Sequence, residues 1–176
     1  MSGFTAPLPL SATHELSHFN CGQEILNTWL KNRALSNDKY NFSRTFVSLD
    51  NQNQVAGFYS LSASSVNRAS SVNRALVPKP LQRNSPSEIP VILLGRLGVD
   101  VSHQDRGLGR SLLRDALLRS LNASDSIGAT AVLVHALTES AKAFYIKRGF
   151  SPSATDHFTL TLPITRLKES LSTALE

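Results

Sequence analysis

The spacing of apolar residues predicts four helices. Between residues 21 and 35, apolar side chains recur every three or four positions, as on the buried face of an amphipathic helix: Ile25, Leu26, Trp29, Leu30 and Ala34. The same spacing predicts a helix from Leu108 to about residue 121, with Asp115 turned outward, and an amphipathic helix over about 164–175. Thr138 is a suitable N-cap for a helix that ends at Gly149.

Strand-like segments lie between these helices. Thr45–Leu49 and Val55–Leu61 flank the turn-forming residues 50–53, so we predict a hairpin. Ile89–Val99 is apolar apart from Arg96 and two glycines, as in a strand that is buried on both faces. Two further strands are predicted at 131–137 and 158–162. The order of elements predicts an α/β (α+β) fold, a mixed, mostly antiparallel central sheet flanked by helices.

Length and composition limit the class of protein. The chain has 176 residues, 41% of them hydrophobic, which fits a single compact domain over 1–176. Its longest apolar run is far shorter than the roughly 20 residues needed to cross a bilayer, so we expect no membrane association. Cys21 is the single cysteine, and the first ten residues do not resemble a secretion leader. We therefore expect a cytoplasmic protein.

Positive charge is concentrated in one segment. The formal net charge is +5, and no acidic residue lies between Asp50 and Glu88. This segment contains the hexapeptide ASSVNR twice, at 63–68 and 69–74, followed by three prolines, which predicts a long basic loop over about 63–88. A basic loop is often only a solvated surface, but four cations together suggest a polyanionic partner.

The segment 104–109, Gln-Asp-Arg-Gly-Leu-Gly, joins the glycine-interrupted strand to a helix. The amides at a helix start lack intrahelical partners, and glycine lets phosphate oxygens approach them, so the segment predicts a pyrophosphate cradle. The dinucleotide-binding pattern fails because Leu112 stands where its third glycine is needed, and the P-loop Gly-Lys-Ser/Thr is absent. The alternative is a glycine-rich turn without a ligand.

Two motifs contain histidine. His14-Glu15-Leu16-Ser17-His18 matches the zinc-protease pattern H-E-x-x-H. The turn signal at 20–22 allows only a short helix there, with Leu16 and Phe19 toward the core and both histidines in solvent, so we predict no metal. His135, on a predicted strand, is either a packed core histidine or a candidate base.

An aromatic motif follows near the end of the third predicted helix. Phe144 and Phe150 are expected to be core residues, whereas the Tyr145 phenol is able to donate a proton.

Taken in order, Leu94–Asp100, Gln104-x-x-Gly107-x-Gly109 and Ala143-Phe144-Tyr145 before Gly149-Phe150 resemble the GNAT superfamily of N-acetyltransferases. The resemblance implies acetyl-CoA as donor substrate, no metal, and Tyr145 as the acid that protonates the departing thiolate. An amide near Leu97 or Val99 would hold the oxyanion. The implied acetyl-CoA residues are Leu97, Gly98, Val99, Gln104, Asp105, Arg106, Gly107, Leu108, Gly109 and Arg110.

More narrowly, residues 19–22 leading to Trp29-Leu30-Lys31, residues 55–61 and residues 94–97 look like the GNAT toxins of bacterial toxin-antitoxin modules. That resemblance implies acetylation of the α-amino group of aminoacyl-tRNA, a block of translation, a homodimer, and an antitoxin of the small DNA-binding ribbon-helix-helix type. The basic residues expected to hold tRNA are Lys31, Arg68, Arg74, Lys79, Arg83 and Arg96. The alternatives are a GNAT enzyme for a small amine or a protein N-terminus without toxicity, and a nucleic-acid-binding module with an idle cofactor site.

Overall fold

The computed structural model describes residues 3–67 and 84–173. Within these ranges it has seven strands and five α-helices, with a short 3-10 turn at Val101–His103 before the third helix. The strands are β1 Leu8–Pro9, β2 Arg44–Leu49, β3 Val55–Asn67, β4 Glu88–Val99, β5 Ala131–His135, β6 Ser151–Pro152 and β7 Thr159–Pro163. The helices are α1 Glu24–Asn32, α2 Ala34–Lys39, α3 Leu108–Ser126, α4 Glu139–Ile146 and α5 Ile164–Thr173.

The strands form one sheet in the order β1-β2-β3-β4-β5-β7-β6. The pairs β1 with β2, β2 with β3, β5 with β7 and β6 with β7 are antiparallel. The predicted hairpin is present: the Asp50 amide donates to the Gln54 carbonyl at 2.9 Å, and Asn53 adopts a left-handed φ of 60°. The predicted mixed, mostly antiparallel sheet flanked by helices is confirmed. No helix in the described ranges has the length and apolar character needed to cross a membrane.

The chain divides into two compact units, of which the first contains residues 1–62 and 94–116. Phe58 lies at the centre of its core, edge-on to Phe19 with the ring centroids 5.5 Å apart and stacked on Trp29 at 6.3 Å. The predicted outward position of Asp115 is wrong, because its carboxylate accepts a hydrogen bond from the buried Tyr59 hydroxyl.

The predicted face of α1 is partly wrong. Ile25 is 67% exposed, whereas Asn27 is only 2% exposed. The Cys21 amide donates to Asn27 Oδ1 at 2.8 Å, and Asn27 Nδ2 donates to Asn20 Oδ1 at 3.0 Å. A buried amide is tolerated when its polar atoms are hydrogen-bonded, so these bonds set the rotation of the helix.

The second unit contains residues 63–93 and 117–176. Thr138 caps α4 as predicted, since its Oγ1 accepts from the Ala141 amide at 3.1 Å, and Gly149 follows the helix with a φ of +100°. Ile164 and Leu167 of α5 are each 6% exposed, so this helix buries its apolar face within the unit. Predicted position Leu175 lies outside the described residues. A single domain over 1–176 remains a prediction.

Candidate active site

The start of α3 has the backbone geometry of an anion site. Asp105 and Gly107 adopt left-handed φ values of 61° and 81°. The Gly107 carbonyl accepts the first helical hydrogen bond, so the amides of Leu108, Gly109 and Arg110 have no intrahelical partner. The helix runs for 19 residues without an acid in its first turn. The positive end of its dipole is therefore not neutralised by the helix itself.

These features fit the pyrophosphate of acetyl-CoA. Space is open beside Gly107, where an added Cβ would meet nothing within 4 Å. Leu108 is 2% exposed, so its side chain is packed in the core, whereas Gly109 is half-buried. The Arg106 guanidinium lies 4.8 Å from the Phe4 ring centroid. Arg110 is exposed.

The loop before α3 is held by Gln104 and Asp100. Gln104 Nε2 donates to the Val99 carbonyl at 3.0 Å and to the Cys21 carbonyl at 3.2 Å. Asp100 is 6% exposed, and its carboxylate accepts from the Asn20 amide at 3.0 Å and from the Ser102 amide at 2.9 Å. Sequence reasoning missed Asp100, although Asp-x-Ser after a strand is a known side-chain-to-backbone turn signal.

Burial alone raises the pKa of the Asp100 carboxyl, but hydrogen bonds from Ser102 and Asn20 outweigh burial, so the pKa lies below its usual value. We expect Asp100→Asn to lower the free energy of unfolding at pH 7 by about 1–3 kcal/mol, because buried donors lose a charged acceptor. Because the pKa of Asp100 is lower in the folded protein than the value of about 3.9 in the unfolded chain, its ionised carboxylate stabilises the folded protein above about pH 3.9. This stabilisation is lost as the pH falls through the folded-state pKa. In urea unfolding, the difference in the free energy of unfolding between wild type and Asp100→Asn should therefore become smaller below about pH 4. A difference that does not change with pH would contradict this role.

Gly98 has a packing role within the first unit. An added Cβ would lie 3.1 Å from the Phe58 ring and 3.2 Å from Cys21 Sγ, closer than most side chains tolerate. The space that this glycine leaves is thus occupied by protein atoms. This packing does not test the predicted contact between acetyl-CoA and the backbone at Leu97–Val99, which remains a prediction.

Gly98→Ala should destabilise the protein by about 1–3 kcal/mol through overpacking. The matched control is Gly128→Ala, since an added Cβ there meets nothing within 4 Å. Chemical denaturation of both variants measures the difference. Equal stabilities would show that packing does not require a glycine at position 98.

Tyr145 lies on the last turn of α4 in the second unit. Its side chain is 7% exposed and packs edge-on against Phe144 and Phe150, with ring centroids 5.2 and 5.4 Å away. Burial raises the pKa of its phenol well above the usual value. The phenol therefore keeps its proton at neutral pH, which suits an acid and not a base.

His135, also in the second unit, is exposed, so its placement as a packed core histidine is wrong. Its Nδ1 lies 3.0 Å from Thr159 Oγ1, which donates its one proton to Asp156 at 2.6 Å. With Nδ1 as the donor to Thr159, Nε2 of a neutral ring would be the nitrogen with the free lone pair.

The H-E-x-x-H segment forms turns instead of the short helix that was predicted. His14 Nδ1 accepts from the Ser11 amide at 3.0 Å, and His18 Nε2 lies 3.3 Å from the Val55 carbonyl oxygen. Phe19 is fully buried, as expected. In the part of the chain that the structure describes, no three His, Cys, Asp or Glu side chains form a metal-binding group.

The residues predicted to hold tRNA are only partly described. Arg68, Arg74, Lys79 and Arg83 lie outside the described residues. Lys31 is exposed in the last turn of α1. Arg96 is half-buried with its guanidinium 4.0 Å from the Trp29 ring centroid, and desolvation lowers its pKa. Its charge is thus already balanced in part by an aromatic face.

Comparison with known proteins assigns the class of enzyme. Residues 41–152 match the family described as the acetyltransferase (GNAT) domain. Together with the mixed sheet and the open helix start of α3, this match shows that the chain belongs to the GNAT acetyltransferase family. The predicted family is confirmed.

Among its relatives, the chain is 44% identical to a tRNA-acetylating toxin of Mycobacterium tuberculosis (strain ATCC 25618 / H37Rv), over 92% of this chain and 93% of that one. It is 29% identical to AtaT complexed with acetyl-methionyl-tRNAfMet, with a TM-score of 0.81, covering 98% of this chain and 99% of that one. It is 27% identical to an AtaT mutant toxin bound to the C-terminus of the antitoxin AtaR and acetyl-CoA, with a TM-score of 0.80, covering 97% and 99%. The predicted resemblance to tRNA-acetylating toxins is confirmed.

Proposed function

We propose that this protein is an acetyl-CoA-dependent N-acetyltransferase toxin that acetylates the α-amino group of aminoacyl-tRNA and thereby blocks translation. The observation that carries the proposal is the 44% identity to a tRNA-acetylating toxin along 92% of the chain. The open amides at the start of α3 and a protonated, buried tyrosine on α4 supply the chemistry that the activity needs.

The cofactor side of the reaction depends on backbone groups. The amides of residues 104–110, chiefly those at the first turn of α3, would hold the pyrophosphate, and the backbone at Leu97–Val99 would hold the pantetheine arm. When bound, acetyl-CoA supplies an acetyl thioester. An amide near Leu97 or Val99 would stabilise negative charge on the carbonyl oxygen during attack.

Proton transfer is assigned to Tyr145. The amine forms a C–N bond to the acetyl carbon, the C–S bond breaks, and the Tyr145 phenol gives its proton to the departing sulfur. The proton that the amine loses can then restore the phenol through solvent. An α-amino group has a pKa of about 8, against about 10.4 for lysine, so a sizeable fraction is neutral without a strong base. An aminoacyl ester is thus a better acceptor than a lysine for this site.

The partners follow from the same proposal. Cations at Lys31, Arg68, Arg74, Lys79, Arg83 and Arg96 would contact phosphates of tRNA, which position the substrate without reading its sequence. The cognate antitoxin would be a small DNA-binding protein of the ribbon-helix-helix type. We further propose a homodimer acting in the cytoplasm, where its substrate is made.

Mass spectrometry of tRNA tests the proposal. Purified protein is incubated with labelled acetyl-CoA and charged tRNA, and the aminoacyl group is analysed for one added acetyl group. Deacylated tRNA is the matched control, because it lacks the α-amino group. Free amino acids and a peptide with an unblocked N-terminus, offered in parallel, test the alternative of a small-amine or protein acetyltransferase. Label on those acceptors and none on charged tRNA would overturn the proposal.

A further inference from the structure

The turn between α2 and β2 displays two aromatic rings in solvent. Tyr40 is 63% exposed and Phe42 is 68% exposed, and their ring centroids lie 6.1 Å apart with an interplanar angle of 34°. We call residues 40–42 the aromatic turn. Two rings side by side in solvent form a small flat apolar surface, and exposed apolar patches occur at binding sites.

Hydrogen bonds to Asn37, Asp38 and Arg44 hold the aromatic turn in place. Asn41 at its apex adopts a left-handed φ of 61°, and the Phe42 amide donates to the Asn37 carbonyl at 2.8 Å. Arg44 donates through Nη1 to the carbonyl and the carboxylate of Asp38, both at 2.7 Å, and through Nη2 to Asn41 Oδ1. The rings are therefore presented by an ordered turn, which reduces the entropy lost on binding.

The stretch of sequence that contains the aromatic turn is basic. Between Ile25 and Leu49 the sequence has four basic residues and one acid, Asp38, whose carboxylate is paired with Arg44. Lys31, Arg33 and Lys39 are exposed and, within the described residues, have no acidic partner. Lys39 Nζ lies 5.8 Å from the Tyr40 ring centroid. Flat aromatic faces and unpaired cations thus occur on one short stretch of chain.

From this combination we infer that the aromatic turn binds an unpaired stretch of the tRNA, with bases stacked on Tyr40 and Phe42 and phosphates near Lys31, Arg33 and Lys39. The inference rests on the proposed function, which already includes Lys31, and adds Tyr40, Phe42, Arg33 and Lys39 to its substrate contacts. Stacking on aromatic side chains is how proteins hold unpaired bases without selecting a sequence. The excess of positive charge favours a polyanion over an apolar protein face as the occupant.

Binding of unfractionated tRNA at several salt concentrations tests the inference. The double variant Tyr40→Ala with Phe42→Ala should bind about tenfold or more weakly at every salt concentration, with an unchanged salt slope, because the lost rings carry no charge. Lys31→Ala with Arg33→Ala should instead flatten the slope of log affinity against log salt by about 1.4–1.8 in total. Ile25→Ala is the control, since Ile25 is also apolar and 67% exposed. Equal tRNA affinities for wild type and the ring variant would overturn the inference.

A direct optical test uses Phe42→Trp. An indole at this position should lose fluorescence when tRNA is added, because a stacked base quenches it, whereas the buried Trp29 of wild type provides the background. Acetylation of charged tRNA by wild type is measured alongside. If wild type acetylates tRNA but the added indole is not quenched, this inference fails while the proposed function stands. If the ring variant instead loses self-association or antitoxin binding and keeps tRNA affinity, the turn is a protein interface and the inference is wrong.

Discussion

Tyr145→Phe should lower the turnover of acetyl transfer by about 10²- to 10⁴-fold and leave acetyl-CoA affinity nearly unchanged. The ring is 7% exposed between Phe144 and Phe150, and phenylalanine fills the same space, so the variant loses only the hydroxyl. Because burial raises the pKa of this phenol, the wild-type acid stays protonated through the neutral range. Turnover is measured by thiol release and cofactor affinity by calorimetry.

Tyr59→Phe provides the matched control. Tyr59 is fully buried, and its hydroxyl donates to Asp115 within the first unit. Removing that hydroxyl should reduce stability and leave turnover per folded molecule close to wild type. If Tyr145→Phe retains normal turnover, Tyr145 is not the acid, and another group must protonate the sulfur.

Gly109→Glu should abolish measurable acetyl-CoA binding without unfolding the protein. Gly109 is the second residue of α3, where a carboxylate is favourable to the helix dipole, so the helix itself is stabilised. The same carboxylate lies where the pyrophosphate is proposed to bind, and like charges repel at short range. Calorimetry with acetyl-CoA measures the loss, and circular dichroism verifies the fold.

Gly109→Gln separates charge from bulk at this position. If repulsion dominates, the glutamine variant should retain more affinity than the glutamate variant, and the gap between them should shrink with added salt. If bulk dominates, both variants should lose binding equally. Wild-type affinity in a folded Gly109→Glu protein would show that the cofactor lies elsewhere.

The sequence was informative where structure is decided locally. The hairpin at 50–54 follows from turn-forming residues between two strand-like segments, and the start and end of α4 follow from Thr138 and Gly149. The rotation of α1 about its own axis is not decided locally. Its rotation is set by bonds from Asn27 to Cys21 and Asn20, and apolar periodicity does not contain that information.

The candidate site was predictable to the same extent. The glycine pattern indicated an open helix start, and the aromatic motif drew attention to the Tyr145 phenol as a proton donor, but neither pattern predicted that Tyr145 is buried. The hydrogen bonds of Asp100 and His135 both include contacts between segments that are distant in sequence, such as Asn20 with Asp100 and His135 with Thr159. Periodicity and composition do not report such contacts.

Trp29 is the single tryptophan of the chain, and its ring lies in the first unit, in contact with Phe58 and the Arg96 guanidinium. Indole emission therefore reports the loss of tertiary packing in that unit, whereas far-ultraviolet circular dichroism reports the helices of both. Following one denaturation with both signals measures cooperativity across the two units. If residues 1–176 form the predicted single domain, the two signals should show coincident unfolding transitions. Separate transitions would show that the two units unfold independently, each with its own stability.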